Sequence, residues 1–273
     1  MSVSNQEDVE LHYEEHGDGE PLLLIHGFGA STYTWRHLVP ALAVRHRVVL
    51  VDLKGFGRSP KPADDAYSIH DQVRLVARFI RGRDLVRPII GGHSFGGGVA
   101  LLLALELQDD PRYAPRRLIL IDNVAYRQRL PAFIRALRAP LIGALGALLP
   151  AKVQVGWVLR VAYFDDDAIP PESIEAYARP LGLPGGRRAL RRTAQQLIPP
   201  DIDALAARYP GIRIPTLILW GREDEIVPVE VGARLHRAIP GSRLRLLERC
   251  GHIPHEECPG TAKAAILEFL EGR

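Results

Sequence analysis

Short apolar runs alternate along the chain with segments whose apolar residues recur every three to four positions. The runs are typical of buried strands, because a strand inside a parallel sheet is covered on both faces. They fall at residues 22–25, 47–52, 89–90, 118–121, 216–220 and 244–247, and a period-two alternation predicts one more strand at residues 9–15. The spacing predicts helices over residues 35–43, 69–81, 99–107, 229–238 and 262–270. This alternation predicts an α/β fold with a mostly parallel, doubly wound sheet between two layers of helices.

Residues 124–205 break the alternation. They are rich in Leu, Ala, Arg and Pro, and they show helical patterns without a clear strand. We therefore expect a sheet core made of residues 1–123 and 206–273, with residues 124–205 inserted as a helical segment. The insertion contains an apolar run at residues 139–151 that is too short to span a bilayer, and we expect it to roof an apolar pocket.

Composition and charge change this picture little. The chain has 273 residues, of which 47% are apolar and 25% charged, which is typical of a soluble enzyme. The net charge of +3 is uneven, because residues 123–200 hold eleven Lys or Arg against five Asp or Glu. Four of these arginines, at positions 187, 188, 191 and 192, could bind a substrate carboxylate, but a solvated helix face is the commoner role of such a cluster.

The N-terminal residues show no signal-peptide pattern, and two cysteines cannot form a disulfide framework. We therefore expect a cytoplasmic protein without a membrane span. Its expected partner is a small-molecule substrate rather than nucleic acid, and its expected state is a monomer or a homodimer.

Five glycines surround one serine in GGHSFGGG, residues 91–98. Residues 92–96 fit G-x-S-x-G, which places a serine on a sharp turn between a strand and a helix. Only small residues fit beside such a turn, and the N-terminus of the following helix faces developing negative charge. The phosphate-binding patterns G-x-G-x-x-G and G-x-x-x-x-G-K-[ST] are both absent. The pattern therefore predicts that Ser94 is a nucleophile.

A serine nucleophile needs a base, and the base needs an acid that orients it. Asp224 and His252 each follow a predicted strand, at the edge where an open α/β sheet forms its active site. Asp122 also ends a strand and remains a rival acid, because geometry decides the partners. We expect His26 and His93 to pack beside the site, and His255 to lie in a loop.

Residues 250–258, CGHIPHEEC, also read as C-x-H-x-x-H-x-x-C, a set of donors that zinc could accept. The serine motif already explains His252, and two prolines stiffen this loop. We therefore expect no metal, and the chemistry requires no organic cofactor.

Five stretches of this chain resemble the α/β-hydrolase superfamily: HGFG (26–29), DLKGFGRS (52–59), GGHSFGG (91–97), GREDEIVP (221–228) and GHIPHEECP (251–259). The resemblance implies Ser94 as nucleophile, His252 as base and Asp224 as acid. It also implies an oxyanion hole made by the backbone N–H groups of Phe28 and Phe95. The insertion at residues 124–205 corresponds to the helical cap of that superfamily.

The resemblance also narrows the reaction. Haloalkane dehalogenases and epoxide hydrolases of the superfamily carry aspartate where this chain has Ser94. Carbon–carbon bond hydrolases usually carry asparagine before the nucleophile and tryptophan after the histidine, whereas this chain has His93 and Ile253. We expect a hydrolase of carboxylic esters with small or medium apolar acyl groups. A carbon–carbon bond hydrolase of vinylogous diketone acids and a slow-turnover ligand receptor are the alternatives.

Overall fold

A central sheet of seven strands organises the computed structural model, which describes residues 9–139 and 149–272. The strands are β1 Tyr13–His16, β2 Glu20–Ile25, β3 His46–Val51, β4 Ile89–His93, β5 Arg117–Ile121, β6 Thr216–Gly221 and β7 Arg243–Leu247. Their order across the sheet is β1-β3-β2-β4-β5-β6-β7. β1 runs antiparallel to β3, and the other neighbouring pairs are parallel. The predicted mostly parallel sheet is confirmed.

The helices of the described residues are α1 Val39–Leu42, α2 Ile69–Gly82, α3 Ser94–Leu107, α4 Ala132–Arg138, α5 Ala151–Ala162, α6 Pro171–Gly182, α7 Gly186–Gln195, α8 Ile202–Ala206, α9 Val229–Ala238, α10 Pro254–Glu257 and α11 Pro259–Leu270. Short 3-10 turns occupy Thr32–Trp35, Asp166–Ala168 and Tyr209–Gly211. α2 begins at a capping box, in which Ser68 and Asp71 satisfy each other's backbone N–H groups. Within these ranges, no helix combines the length and the apolar character that crossing a bilayer requires.

The sheet is buried on both faces because successive side chains of a strand point to opposite sides. In β2, Leu22 and Leu24 pack in the cluster that contains α1 and α11, whereas Leu23 and Ile25 pack with α2 and α3. These four side chains are at most 2% exposed. Each buried leucine or isoleucine contributes about 1.5–3 kcal/mol relative to an exposed one. The apolar runs of the sequence therefore become the two-sided core.

The predicted single helix over residues 35–43 is wrong, because the helix in this region is shorter and begins later. The structure has a 3-10 turn at Thr32–Trp35 and a separate short helix, α1. Pro40 lies in the first turn of α1, where its missing N–H is not needed. A proline at that place starts a new helix rather than continuing the preceding one.

The segment between β5 and β6 holds α4 to α8, and it contains no strand within the described residues. Residues 140–148, most of the apolar run at 139–151, lie outside the described residues, so the predicted role of that run stays a prediction. The division into a core and an insertion at residues 124–205 likewise stays a prediction.

Candidate active site

Ser94 stands at the turn from β4 into α3. Its φ of +52° lies in the left-handed region that side chains other than glycine rarely adopt. A backbone of this kind costs on the order of 1–3 kcal/mol, and such strain concentrates at functional sites. A Cβ atom on Gly92 would lie 2.3 Å from the Gly96 carbonyl oxygen, and one on Gly96 would lie 2.2 Å from that of His26. The glycines therefore let the backbone close tightly beneath the serine.

The structure brings Ser94, His252 and Asp224 into one hydrogen-bonded line. His252 Nε2 lies 2.9 Å from Ser94 Oγ, and His252 Nδ1 lies 2.7 Å from Asp224 Oδ2. Because a carboxylate accepts hydrogen bonds, Nδ1 carries the imidazole proton and leaves Nε2 free to accept the one on Ser94. All three residues are buried, at 5–7% exposure. The geometry is the one that a serine nucleophile with a general base requires.

The Asp224 carboxylate is held by the backbone of its own loop. Asp224 Oδ1 accepts the N–H groups of Ile226 and Val227, at 2.7 and 2.9 Å. These two bonds satisfy one carboxylate oxygen and leave Oδ2 facing His252. The backbone of the loop GREDEIVP thus orients the Asp224 carboxylate towards His252.

Asp122, the rival acid, lies next to Asp224, with carboxylate oxygens of the two residues within 4.8 Å of each other. It is fully buried with φ +42°, and its Oδ1 accepts the N–H of Gly221 at 2.9 Å. Its Oδ2 has no hydrogen-bond partner among the described residues. Burial, and then the neighbouring charge of Asp224, raise the pKa of Asp122 well above its ordinary range. The carboxylate that contacts His252 is that of Asp224.

The Cys–His–His–Cys zinc pattern does not come together as a cluster of donors. In residues 9–139 and 149–272, the donor atoms that lie within 4.8 Å of one another belong to Asp122, Asp224 and His252. In that group, His252 Nδ1 already bonds Asp224. The two cysteines are free thiols.

The residues predicted to supply the oxyanion hole, Phe28 and Phe95, line the same cavity as Ser94. Phe95 is the second residue of α3, so its N–H has no acceptor within the helix. The loop before Phe28 packs on the serine, since a Cβ atom on Gly27 would lie 3.1 Å from Ser94 Cβ. The first turn of α3 and the loop before Phe28 therefore meet at Ser94, and the role of the two N–H groups stays a prediction.

His93 and His255 form a buried layer beside His252. The His93 ring lies 4.8 Å from the His252 ring and 4.6 Å from the His255 ring, and His93 Nε2 donates to the His252 carbonyl oxygen at 2.8 Å. Burial is the main cause that holds the pKa of His93 and of His255 well below the usual value.

The predicted loop position of His255 is wrong. It lies in α10, which Pro254 starts, and its Nε2 is 2.7 Å from Thr34 Oγ1.

A cavity of about 750 Å³ opens above Ser94 and His252. Its walls come from the core and from α4 to α8, and the described residues that line it include no Asp, Glu, Lys or Arg. The residues outside the described ranges at 140–148, PLIGALGAL, also carry no charge in the sequence. The volume is that of a site for a medium-sized, largely apolar molecule.

The arginines of α7 do not line this cavity. Arg187 donates to the Leu149 carbonyl oxygen, Arg188 to that of Lys61, and Arg192 pairs with Asp65 at 3.0 Å. Leu190 of the same helix lines the cavity, and so does Leu149, whose carbonyl oxygen Arg187 bonds. The solvated-face interpretation agrees with the exposed Arg188 and Arg192, whereas Arg191 is half-buried and its Nε has no hydrogen-bond partner among the described residues.

One contact at the site was not predicted from the sequence. The His252 N–H donates to the carbonyl oxygen of Ala162, the last residue of α5, at 2.7 Å. A Cβ atom on Gly251 would lie 2.4 Å from that same oxygen. In the sequence, Gly251 could have indicated this contact, because a glycine before the histidine lets the Ala162 carbonyl oxygen approach the backbone closely.

Comparisons with known proteins show the family and the fold of this chain. A model of the alpha/beta hydrolase family matches residues 22–265. An uncharacterized hydrolase from Bacillus subtilis is 27% identical over 260 residues, covering 95% of this chain and 93% of that protein. The structure is similar to a meta-cleavage product hydrolase from Pseudomonas fluorescens IP01, with a TM-score of 0.82 and 26% identity over 97% of this chain and 95% of that one. It is also similar to a thermophilic esterase from Thermogutta terrifontis, with a TM-score of 0.77 and 27% identity over 97% and 94%.

The family match covers well over half of the chain and includes the serine turn, the aspartate loop and the histidine loop. The fold of the family agrees with the mostly parallel sheet and its flanking helices. The chain belongs to the alpha/beta hydrolase family.

Proposed function

We propose that this protein is a serine hydrolase that cleaves uncharged carboxylic esters with small or medium apolar acyl groups. The observation that carries the proposal is the Ser94–His252–Asp224 line, which opens on a cavity without a charged side chain among its described residues. Residues 124–205 act in this proposal as the cap over the acyl group. No metal or organic cofactor is required by the reaction.

In the first half of the reaction, Ser94 Oγ attacks the ester carbonyl carbon while His252 Nε2 takes the hydroxyl proton. Asp224 keeps the imidazole in the required tautomer and stabilises the imidazolium ion. The backbone N–H groups of Phe28 and Phe95 stabilise the oxyanion, and one such donor typically contributes about 2.7–4 kcal/mol. His252 then gives its proton to the departing alcohol oxygen as the carbon–oxygen bond breaks, which leaves an acyl-serine.

In the second half, water attacks the acyl-serine carbonyl carbon. His252 takes a proton from the water and returns it to Ser94 Oγ as the acyl bond breaks. The acid is released and the free serine is restored. The same three side chains therefore serve both halves.

The lining of the cavity supports an uncharged substrate. A carboxylate buried without a cationic partner loses its hydration, at a cost of several kcal/mol. The described lining contains no lysine or arginine, and three arginines of α7 have partners: Arg187 bonds the Leu149 carbonyl oxygen, Arg188 bonds that of Lys61, and Arg192 pairs with Asp65. This argues against acidic diketone substrates, although the likeness to a meta-cleavage product hydrolase keeps carbon–carbon bond cleavage as the second candidate.

The test is a substrate panel on purified protein with the Ser94→Ala variant as control. We expect turnover of a chain-length series of nitrophenyl esters, loss of that turnover in the variant, and little cleavage of a vinylogous diketone acid. Faster cleavage of the diketone acid than of every ester would replace the proposal with the carbon–carbon bond hydrolase. A stoichiometric burst followed by very slow turnover would favour the ligand receptor.

A further inference from the structure

Glu257 joins the loop of His252 to the end of α5. Its Oε2 accepts the N–H of Gly251 at 2.6 Å. Its Oε1 accepts the N–H groups of Phe164 and Asp165, at 2.8 and 2.9 Å. One carboxylate therefore satisfies three backbone donors from two segments that are far apart in the sequence.

A second contact links the same two segments. The His252 N–H donates to the Ala162 carbonyl oxygen at 2.7 Å, and Ala162 is the last residue of α5. Together the two contacts hold the backbone of residues 251–252 against residues 162–165 with four hydrogen bonds. Hydrogen bonds to a charged carboxylate are stronger than neutral ones, so Glu257 supplies the larger part of this link.

The link reaches the cavity through α5. Val155, Val158, Leu159 and Ala162 of this helix line the cavity. The helix that contacts the substrate side of the pocket therefore also fixes the backbone of His252, whose ring must remain 2.9 Å from Ser94 Oγ. A displacement of about 1 Å in such an arrangement can cost as much as 10²-fold in rate.

We propose that Glu257 is a positioning residue that uses the inserted helical segment to hold His252 in its productive place. The inference rests on the proposed function, and it assigns the segment a part in the catalytic geometry beyond roofing the pocket. Glu257 itself touches neither Ser94 nor the His252 ring, so it acts through the backbone of the loop.

The test compares Glu257→Gln and Glu257→Asp with a matched control, Asp165→Asn. Glutamine keeps the size but replaces one acceptor oxygen by a donor, and aspartate keeps the charge but is one methylene too short to reach both segments. The control removes a carboxylate of the same segment whose Oδ1 accepts the Asp167 N–H inside its own turn. The Asp165 backbone N–H that Glu257 accepts is unchanged in the control.

We expect both Glu257 variants to lower kcat on nitrophenyl esters by about tenfold or more, with KM changed by less than about threefold. The control should match the native protein in both measurements. If one Glu257 variant fails to fold, as judged by its circular dichroism, the other decides.

A proton NMR measurement separates this inference from the proposed function. The Nδ1 proton of His252, held by Asp224, should give a far-downfield resonance in the native protein and in the control. We expect it to exchange faster with water in both Glu257 variants, even if no ester is hydrolysed. Unchanged exchange together with control-like kcat would overturn the inference. Absence of Ser94 labelling by a phosphonate in the native protein would instead overturn the proposed function.

Discussion

Asp122 and Asp224 place two buried carboxyl groups side by side, yet His252 bonds Asp224 alone of the two. Asp224 has both of its oxygens engaged, by His252 and by the backbone N–H groups of Ile226 and Val227. Burial, and then the charge of Asp224, raise the pKa of Asp122 well above its ordinary range. Two adjacent carboxyl groups thus have different partners: Asp224 bonds the imidazole, and Asp122 bonds the Gly221 N–H.

This pair yields the first prediction. Asp224→Asn should lower kcat by roughly 10⁴-fold, because an amide favours the wrong imidazole tautomer. Asp122→Asn should be far milder, since His252 bonds Asp224, and the Asp122 oxygen that accepts the Gly221 N–H is also present in an amide. Steady-state kinetics on one nitrophenyl ester measure both. The opposite order would move the acid to Asp122.

The strained serine yields the second prediction. An organophosphonate should label the native protein at Ser94, because His252 and the N-terminus of α3 activate that hydroxyl group. Ser94→Ala should abolish both the labelling and ester turnover while leaving the thermal unfolding midpoint close to native. Peptide mass spectrometry identifies the labelled residue. A label on any other residue would rule out Ser94 as the nucleophile.

The apolar cavity yields the third prediction, at Leu137 of α4, which lines it and is half-buried. Leu137→Phe should reduce the space for the acyl group, so kcat/KM should fall for long acyl chains and change little for acetate. Each methylene that loses its burial costs about 0.8 kcal/mol, or about fourfold in kcat/KM. The measurement is kcat/KM across a chain-length series of nitrophenyl esters.

Leu183 provides the matched control for that change. It lies between β5 and β6, as Leu137 does, but is 43% exposed and is not among the described residues that line the cavity. Leu183→Phe should leave the chain-length preference unchanged. Equal profiles for the two variants would mean that the cavity wall at α4 does not contact the acyl group.

The buried histidines yield the fourth prediction, on stability against pH. His26, His93 and His255 have lowered pKa values, mainly because burial disfavours their charged form. The unfolded chain therefore binds more protons than the folded one as pH falls below the ordinary value of about 6.5. The free energy of unfolding should decrease in that direction, by up to about 1.4 kcal/mol per pH unit for each histidine.

Urea unfolding at several pH values between 7.5 and 5.5 checks this slope. His93→Gln should make the slope shallower, because one buried group no longer titrates. The control is His16→Gln, at an exposed strand end, which should keep the native slope. A native protein that is equally stable across the range would show that these histidines accept protons without unfolding.

The apolar runs and glycines were enough to predict the sheet, α2, the serine turn and the family resemblance. These features depend on local physics: a two-sided apolar run suits a buried strand, and a left-handed serine requires small neighbours. Asp224 and His252 could be placed at the right sheet edge, because the carboxyl ends of parallel strands meet there. The same reasoning placed Asp122 there as well and could not separate the two acids.

The tertiary structure decided what depends on contacts between distant parts of the chain. It showed which carboxyl group reaches His252 Nδ1, that His255 is buried against Thr34, and that the described cavity wall carries no charge. It also showed that Glu257 and Ala162 hold the histidine loop. Ala162 and His252 are ninety positions apart, and the hydrogen bond between their backbones leaves no periodic pattern in the sequence, because it depends on where two separate elements meet after folding.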